Sequence, residues 1–302
     1  MILQPASSKL SVIVAASNDF AALEKTLASL KRQAENPDTE VIAVCNFDGE
    51  AKEKVEKQFP FVKYVTLASD TTVPESRSRG IYLSRGEIIA LVEDYCTLDD
   101  RWCGEIKKAH ESGHPIVGGV VENRCPDKLL NWAVYFYDYG KYMLPEQGRV
   151  AATLSGMNVS YKREVLKEVE NAFHDGFYET SIHEALRRRG HDLYLAPSAI
   201  AYLSKDYEFG EILRTYFHLG RSFAARRVAG ARPVKRALFA LGACLLPILL
   251  SLRTVIRTIP KRRHVKKLFL SLPYLLSLTA SWSSGEFCGY LCGEGSSARK
   301  WS

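Results

Sequence analysis

Several absences narrow the reading of this 302-residue chain. Its seven cysteines, at 45, 96, 103, 125, 244, 288 and 292, include no CxxC pair, and their number is odd. That argues against a disulfide framework; reduced, mostly buried thiols in a cytosolic setting are expected. No glycine-rich phosphate loop opens the first helix, because neither GxGxxG nor GxxxxGK[ST] occurs. This counts against dinucleotide-binding and P-loop sites. The segment Ala15-Ala-Ser-Asn-Asp19 also lacks the glycines and lysines of an activating loop for nucleotidyl transfer. No apolar run reaches the roughly 20 residues needed to cross a bilayer. The N-terminus shows no basic stretch followed by an apolar one, so no signal peptide is expected.

What is present is ample for one large globular domain, or a domain with an appendage: 46% hydrophobic and 25% charged residues. The net charge of +7 is unevenly spread. From Lys205 onward, 17 Lys and Arg stand against 5 Asp and Glu, so the first 204 residues are mildly acidic. A basic tail points to nucleic acid or an anionic membrane surface. The tail holds two apolar runs, 237–252 and 268–282, interrupted by Pro247 and Pro273. Between them lies Lys261-Arg-Arg-His-Val-Lys-Lys267. Basic clusters flanking short apolar helices suit the interface of an anionic leaflet, not nucleic acid. Buried core helices of a soluble domain are the alternative.

Strands are predicted at 10–16, 40–45, 62–67 and 88–92, alternating with helices at 23–33, 51–58 and 76–84. That alternation implies an α/β fold with a doubly wound, mostly parallel sheet. A second region, about 102–204, contains an apolar strand at 116–121, an aromatic segment at 132–142, and Ser155-Gly-Met-Asn-Val-Ser160. A helix at 179–189, ended by Gly190, and a strand near 193–195 follow. A helical stretch, 209–228, carries His218, Arg221, Arg226 and Arg227. These suit membrane-surface attraction, or a lipid-linked phosphate.

The most telling segment is the strand 88–92, wholly apolar, which stops on Glu93 and Asp94. Buried parallel strands of open α/β sheets present ligand groups at their carboxyl ends. Paired acids there suit a divalent cation with a diphosphate. Asp99 and Asp100, before Trp102, read as a helix cap. Glu179 stands at a helix N-terminus, where the dipole favours its ionised form. Its neighbour His183 lies one turn on, and a surface position is expected for it. Glu184 falls on another face and reads as structural. Arg77 offers a planar fork that matches phosphate oxygens, or else a solvated helix face.

In order and spacing these segments resemble the family 2 glycosyltransferases, which have the GT-A fold, over about residues 10–225. The likeness rests on Ser11-Val-Ile-Val-Ala-Ala-Ser-Asn18, on Glu40-Val-Ile-Ala-Val-Cys-Asn-Phe-Asp48, and on Arg77-Ser-Arg-Gly80 with Arg85-Gly-Glu-Ile-Ile-Ala90. It continues in Glu93-Asp94-Tyr95, Gly156-Met-Asn158 and the helix from Tyr178 to Gly190. The ending Gly285 to Gly293 resembles tails of membrane-associated members. The resemblance implies an inverting enzyme. It would move a sugar from a nucleotide-sugar donor, a UDP-sugar, to a polysaccharide or lipid-linked acceptor. Glu179 would be the catalytic base. Ala16, Ser17, Asn18, Cys45, Asp48, Arg77, Glu93 and Asp94 would contact the donor, and Asn158 and His183 the acceptor side. Asp94 would hold Mg²⁺ or Mn²⁺. Three departures stand out: Tyr95 replaces the usual ligand Asp, Cys45 the base-contacting Asp, and Leu203 the metal-site His. They place the chain nearest a divergent branch with a Glu-Asp-X motif. They also suggest the alternative of a protein that binds nucleotide or glycan without turnover. The implied division is a GT-A domain at 1–228, with halves at 8–101 and 102–204 and a connecting helix at 205–228. A helical membrane-associated tail follows at 229–302, on the cytoplasmic face of a membrane.

Overall fold

A computed structural model describes residues 3, 7–16, 19–46, 49–297 and 300, without the side chains of 49–51. In chain order the elements begin β1 (Ser8–Ala15), α1 (Phe20–Ala34), β2 (Thr39–Cys45), α2 (Gly49–Gln58), β3 (Val62–Thr66), α3 (Val73–Leu83), β4 (Gly86–Glu93), β5 (Cys96–Leu98), α4 (Trp102–Glu111) and β6 (Ile116–Asn123). They continue with α5 (Leu129–Asp138), β7 (Arg149–Ala151), β8 (Asn158–Lys162), α6 (Arg163–Lys167), α7 (Glu179–Arg188) and β9 (Leu193–Leu203). Five helices end the chain: α8 (Phe209–Arg227), α9 (Pro233–Ala243), α10 (Leu246–Thr258), α11 (Val265–Leu270) and α12 (Leu272–Cys292). Contacts divide the chain into two compact units. One comprises Met1–Arg124 and Tyr142–Ser204, the other Cys125–Lys141 and Lys205–Ser302.

The first unit is a mixed α/β structure around one nine-stranded sheet, ordered β3-β2-β1-β4-β8-β6-β9-β5, with β7 on β9. Its first half is parallel, β3 through β4, as the sequence implies. β1, β2 and β4 are nearly continuous buried runs because both faces are covered. Beyond β4 the expectation of a mostly parallel sheet fails. β8 runs antiparallel to both β4 and β6, and β5 and β7 run antiparallel to β9. Only β6–β9 is parallel there. The segment after Gly156, given no secondary structure from the sequence, is β8 itself, buried along Asn158–Tyr161.

Local chemistry sets the helix that carries Arg77. α3 starts at Val73, earlier than the expected 76, because Thr72 and Glu75 form a capping box and Pro74 occupies the first turn. A Cβ on Gly80 would lie 2.4 Å from Ile13 Cγ2, so only glycine lets α3 sit this close to β1. The expected cap at α4 is also displaced. Arg101 is the N-cap without a side-chain bond, while Asp99 accepts from the Arg101 amide at 3.2 Å.

The second unit is helical. α8 and α12 pack at backbone distance through glycines: a Cβ on Gly285 would meet Phe217 O at 2.0 Å, and one on Gly289 would meet Arg221 O at 2.3 Å. Small residues four apart allow such close approach. The buried Glu286 accepts from Trp282 Nε1 at 2.5 Å and from the Tyr290 hydroxyl at 2.6 Å. The basic residues of α8, expected to face a membrane or a phosphate, bind the chain's own C-terminal segment. Arg221 Nε donates to Gly293 O at 2.9 Å, Arg226 pairs with Glu294 at 3.2 Å, and Arg227 donates to the Tyr290 hydroxyl at 3.2 Å. His218 Nδ1 lies 3.0 Å from Ser297 Oγ. These partners are close because α12 runs to Cys292, well past the apolar run that ends at 282.

α9 and α10 leave their apolar side chains outward. Val234, Leu238, Leu241, Ile248, Leu252 and Ile256 are each more than half exposed. No single helix among the described residues is long and apolar enough to cross a membrane. One pair, Pro233–Ala243 with Leu246–Lys261, meets the length and composition together but is bent by 58°.

Candidate active site

β1, β2 and β4 end in register, Ala15 opposite both Val44 and Glu93, so Glu93 and Asp94 emerge at the carboxyl edge. The turn that follows is held from below. The Thr26 hydroxyl of α1 lies 2.6 Å from Asp94 O and 2.5 Å from Cys96 O, and Ser204 N donates to Tyr95 O at 2.9 Å.

Arg77 stands at the centre of this edge. Its Nη2 pairs with Glu93, and its Nη1 donates to Glu179 Oε2 at 2.8 Å. The Arg77 and Glu93 side chains are 11% and 4% exposed, whereas Glu179 is 33% exposed and opens outward. Arg77 is therefore neither a solvated helix face nor a free diphosphate fork. Both its terminal nitrogens are committed to carboxylates. Burial works against its charge, but Glu93 and then Glu179 outweigh burial and raise its pKa. Burial likewise raises the Glu179 pKa. Arg77, the residue's own backbone amide at the start of α7, and His183 lower it by more, so it lies below the ordinary carboxylate value.

Gly156 backs this pair. A Cβ there would lie 3.0 Å from Glu179 Cδ and 3.1 Å from Arg77 Nη2. Behind Glu179, His183 is 2% exposed, and its Nε2 lies 2.7 Å from the hydroxyl of Tyr161 on β8. The expected surface histidine is thus a buried one, fixed from the sheet. Tyr161 was not anticipated. No sequence signal connects it to a residue 22 positions away, because their contact exists only once β8 pairs with β4.

Asn158 does not take the acceptor-side place expected of it. It is fully buried, accepting from Trp102 Nε1 at 2.9 Å and donating to Val120 O and Ala199 O, each at 2.9 Å. Its task is visible in the register of β6 and β9, which shifts between Gly119 and Val120. Pro197 cannot donate to the ladder there, and the Asn158 amide satisfies the carbonyls at the bulge. Of the other expected donor contacts, Ala16 is buried at the end of β1, and its amide donates to Val44 O at 2.8 Å. Cys45 ends β2, buried, with Sγ 3.8 Å from Val65 O. Ser17, Asn18 and Asp48 lie outside the described residues. Glu184 is exposed and pairs with Arg188, as a structural residue would.

These side chains do not fit the expected divalent cation. Hard cations take several oxygen ligands. Yet Glu93 is bound to Arg77, Asp94 is 1% exposed, and Tyr95 and Leu203 stand where the resemblance implies ligands. No group of three or more His, Cys, Asp or Glu that could hold a metal ion occurs among the described residues.

Compared with known proteins, the chain matches no curated protein. A family profile described as Glycosyl transferase family 2 matches residues 11–170, more than half of the chain. That span runs from within β1 through β8, with Arg77, Glu93 and Asp94 at the carboxyl edge of the strands. By this match, and with a sheet consistent with the GT-A fold, the chain belongs to glycosyl transferase family 2.

Proposed function

We propose that the protein is an inverting glycosyltransferase that moves a sugar from a UDP-sugar to a polysaccharide or lipid-linked acceptor at a membrane, with Glu179 as the base. The family uses a nucleotide-sugar donor and a glycan acceptor. The observation that carries the finer reading is the Arg77 bridge from Glu93 to Glu179. It leaves one carboxylate ionised and partly exposed, aimed away from the core. Such a group takes the proton from an acceptor hydroxyl as that oxygen attacks the anomeric carbon. The bond from that carbon to the diphosphate breaks, and the nucleoside diphosphate leaves with the electron pair. A single base and one displacement invert the anomeric centre. Arg77 and Gly156 orient Glu179; Tyr161 and His183 fix the helix turn behind it. No step runs through a metal ion.

Incubation with a panel of nucleotide sugars tests this reading. Consumption of a UDP-sugar with release of UDP is expected. No release from any member, with a thermal shift on adding UDP, would leave the second reading, a protein that binds nucleotide or glycan without turnover; no response to any nucleotide would sink the donor site. That reading is favoured by Tyr95, Cys45 and Leu203, which stand where the resemblance implies two metal ligands and a base-contacting Asp.

Residues 229–302 are proposed as the membrane-associated part, monotopic or peripheral on the cytoplasmic face. The exposed apolar surface of α9 and α10 supports this, since such patches mark contact with lipid or protein. Leu249→Ser/Leu252→Ser/Ile256→Ser is expected to weaken vesicle binding on the order of a hundredfold or more. A triple variant that still sediments with vesicles like the wild type would refute the anchor.

A further inference from the structure

The second unit contains a cavity of about 200 Å³ lined from α5, α10 and α12. Lys141, Arg253 and Arg257 face it, against one carboxylate, Asp138. Asp138 accepts from the Tyr216 hydroxyl at 2.6 Å. Burial pushes its pKa up to about 6, against the lowering effects of Tyr216 and Lys141. The cavity therefore carries a net positive charge at neutral pH. Thr258 also lines it, 1% exposed, and its Oγ1 has no hydrogen-bond partner among the described residues.

The position of the two arginines adds the second half. An α-helix turns by about 100° per residue. On α10 and its caps, Leu245, Ile248, Leu249, Leu252, Ile256 and Ile259 then form one stripe, and each is at least 40% exposed. Ser251, Thr254 and Thr258 lie on the opposite, buried face. Arg253 and Arg257 fall on one border between stripe and buried face. An apolar stripe with guanidinium groups along its rim matches a lipid: hydrocarbon beside the leucines, phosphate oxygens at the rim.

We propose that this cavity is a phosphate site for the head of a membrane lipid whose apolar chains lie along the α10 stripe. It rests on the membrane reading above. Arg253 and Arg257 bind the phosphate oxygens from the rim, and Lys141 adds its charge to the same cavity. Trp282 walls the far side.

The test uses the full chain with two probes. One is inorganic phosphate, followed by calorimetry. The other is vesicles of phosphatidylcholine with or without phosphatidic acid, followed by sedimentation. Wild type is expected to prefer phosphatidic acid. Arg253→Ala/Arg257→Ala is expected to lose about thirtyfold of that affinity and keep its binding to pure phosphatidylcholine. Arg187→Ala/Arg188→Ala removes the same charge from the exposed end of α7, outside the proposed membrane-associated part, and is expected to lose no more than a few-fold. Equal losses in the two arginine pairs would mean diffuse surface charge and overturn the site. Vesicle binding without preference for phosphatidic acid would also overturn it, leaving the membrane reading standing. Binding of inorganic phosphate with no vesicle binding would overturn the lipid assignment and the membrane reading together. Binding of neither probe would overturn the site outright.

Discussion

Glu179→Gln is expected to lower kcat by roughly 10²–10⁴ while the donor KM stays within a few-fold. The amide keeps the shape of the carboxylate and an oxygen for Arg77 Nη1, so the fold and the 2.8 Å contact have no reason to change. What disappears is the capacity to accept a proton. The effect should therefore appear in kcat, and the melting temperature should move little. Retention of most activity by Glu179→Gln would show that another group accepts the proton.

Arg77→Met has the second large effect, first on stability and then on pH dependence. Glu93 is 4% exposed and pairs with Arg77. Removing one partner of a buried ion pair leaves an uncompensated charge, at a cost of about 3–5 kcal/mol. Thermal unfolding should show this loss. Arg77→Met/Glu93→Gln should recover most of it, because no buried charge is then left unpaired. The double variant separates structure from positioning. In the wild type, burial raises the Glu179 pKa, and Arg77 leads the groups that bring it below the ordinary value. A carboxylate depressed in the folded state stabilises the fold at pH values above its ordinary pKa. That contribution vanishes as pH falls through the depressed value. Without Arg77 its lowering effect is lost and the Glu179 pKa rises. The acid limb of the kcat/KM profile should then move to higher pH even where stability has been restored. An unmoved limb would show that Arg77 is only a structural tie.

The parallel half of the sheet was legible in the sequence because buried strands covered on both faces are unbroken apolar runs, as in 88–92. The antiparallel half was not. β9 runs to Leu203, although Pro197 looks like a stop after 195, because a bulge and the Asn158 amide carry the strand past the missing donor. The start of α3 could have been read from Thr72, Pro74 and Glu75, which spell a capping box ahead of the apolar pattern. At the site, Glu93 and Glu179 were found by their places at a strand end and a helix start. Their joining through Arg77 was not, because it spans 102 residues of sequence. Nothing in local periodicity reports such a contact. His183 was misjudged for the same reason: a polar residue on a charged helix reads as surface until Tyr161 is known to stand behind it.

The anomeric configuration of the product tests most directly whether one ionised carboxylate at Glu179 drives displacement at the sugar carbon. Proton NMR of the product formed from an α-linked UDP-sugar should show the β-configuration from the first turnovers. An α-configured product would mean retention, which a single in-line displacement cannot give, and would contradict the mechanism assigned to Glu179.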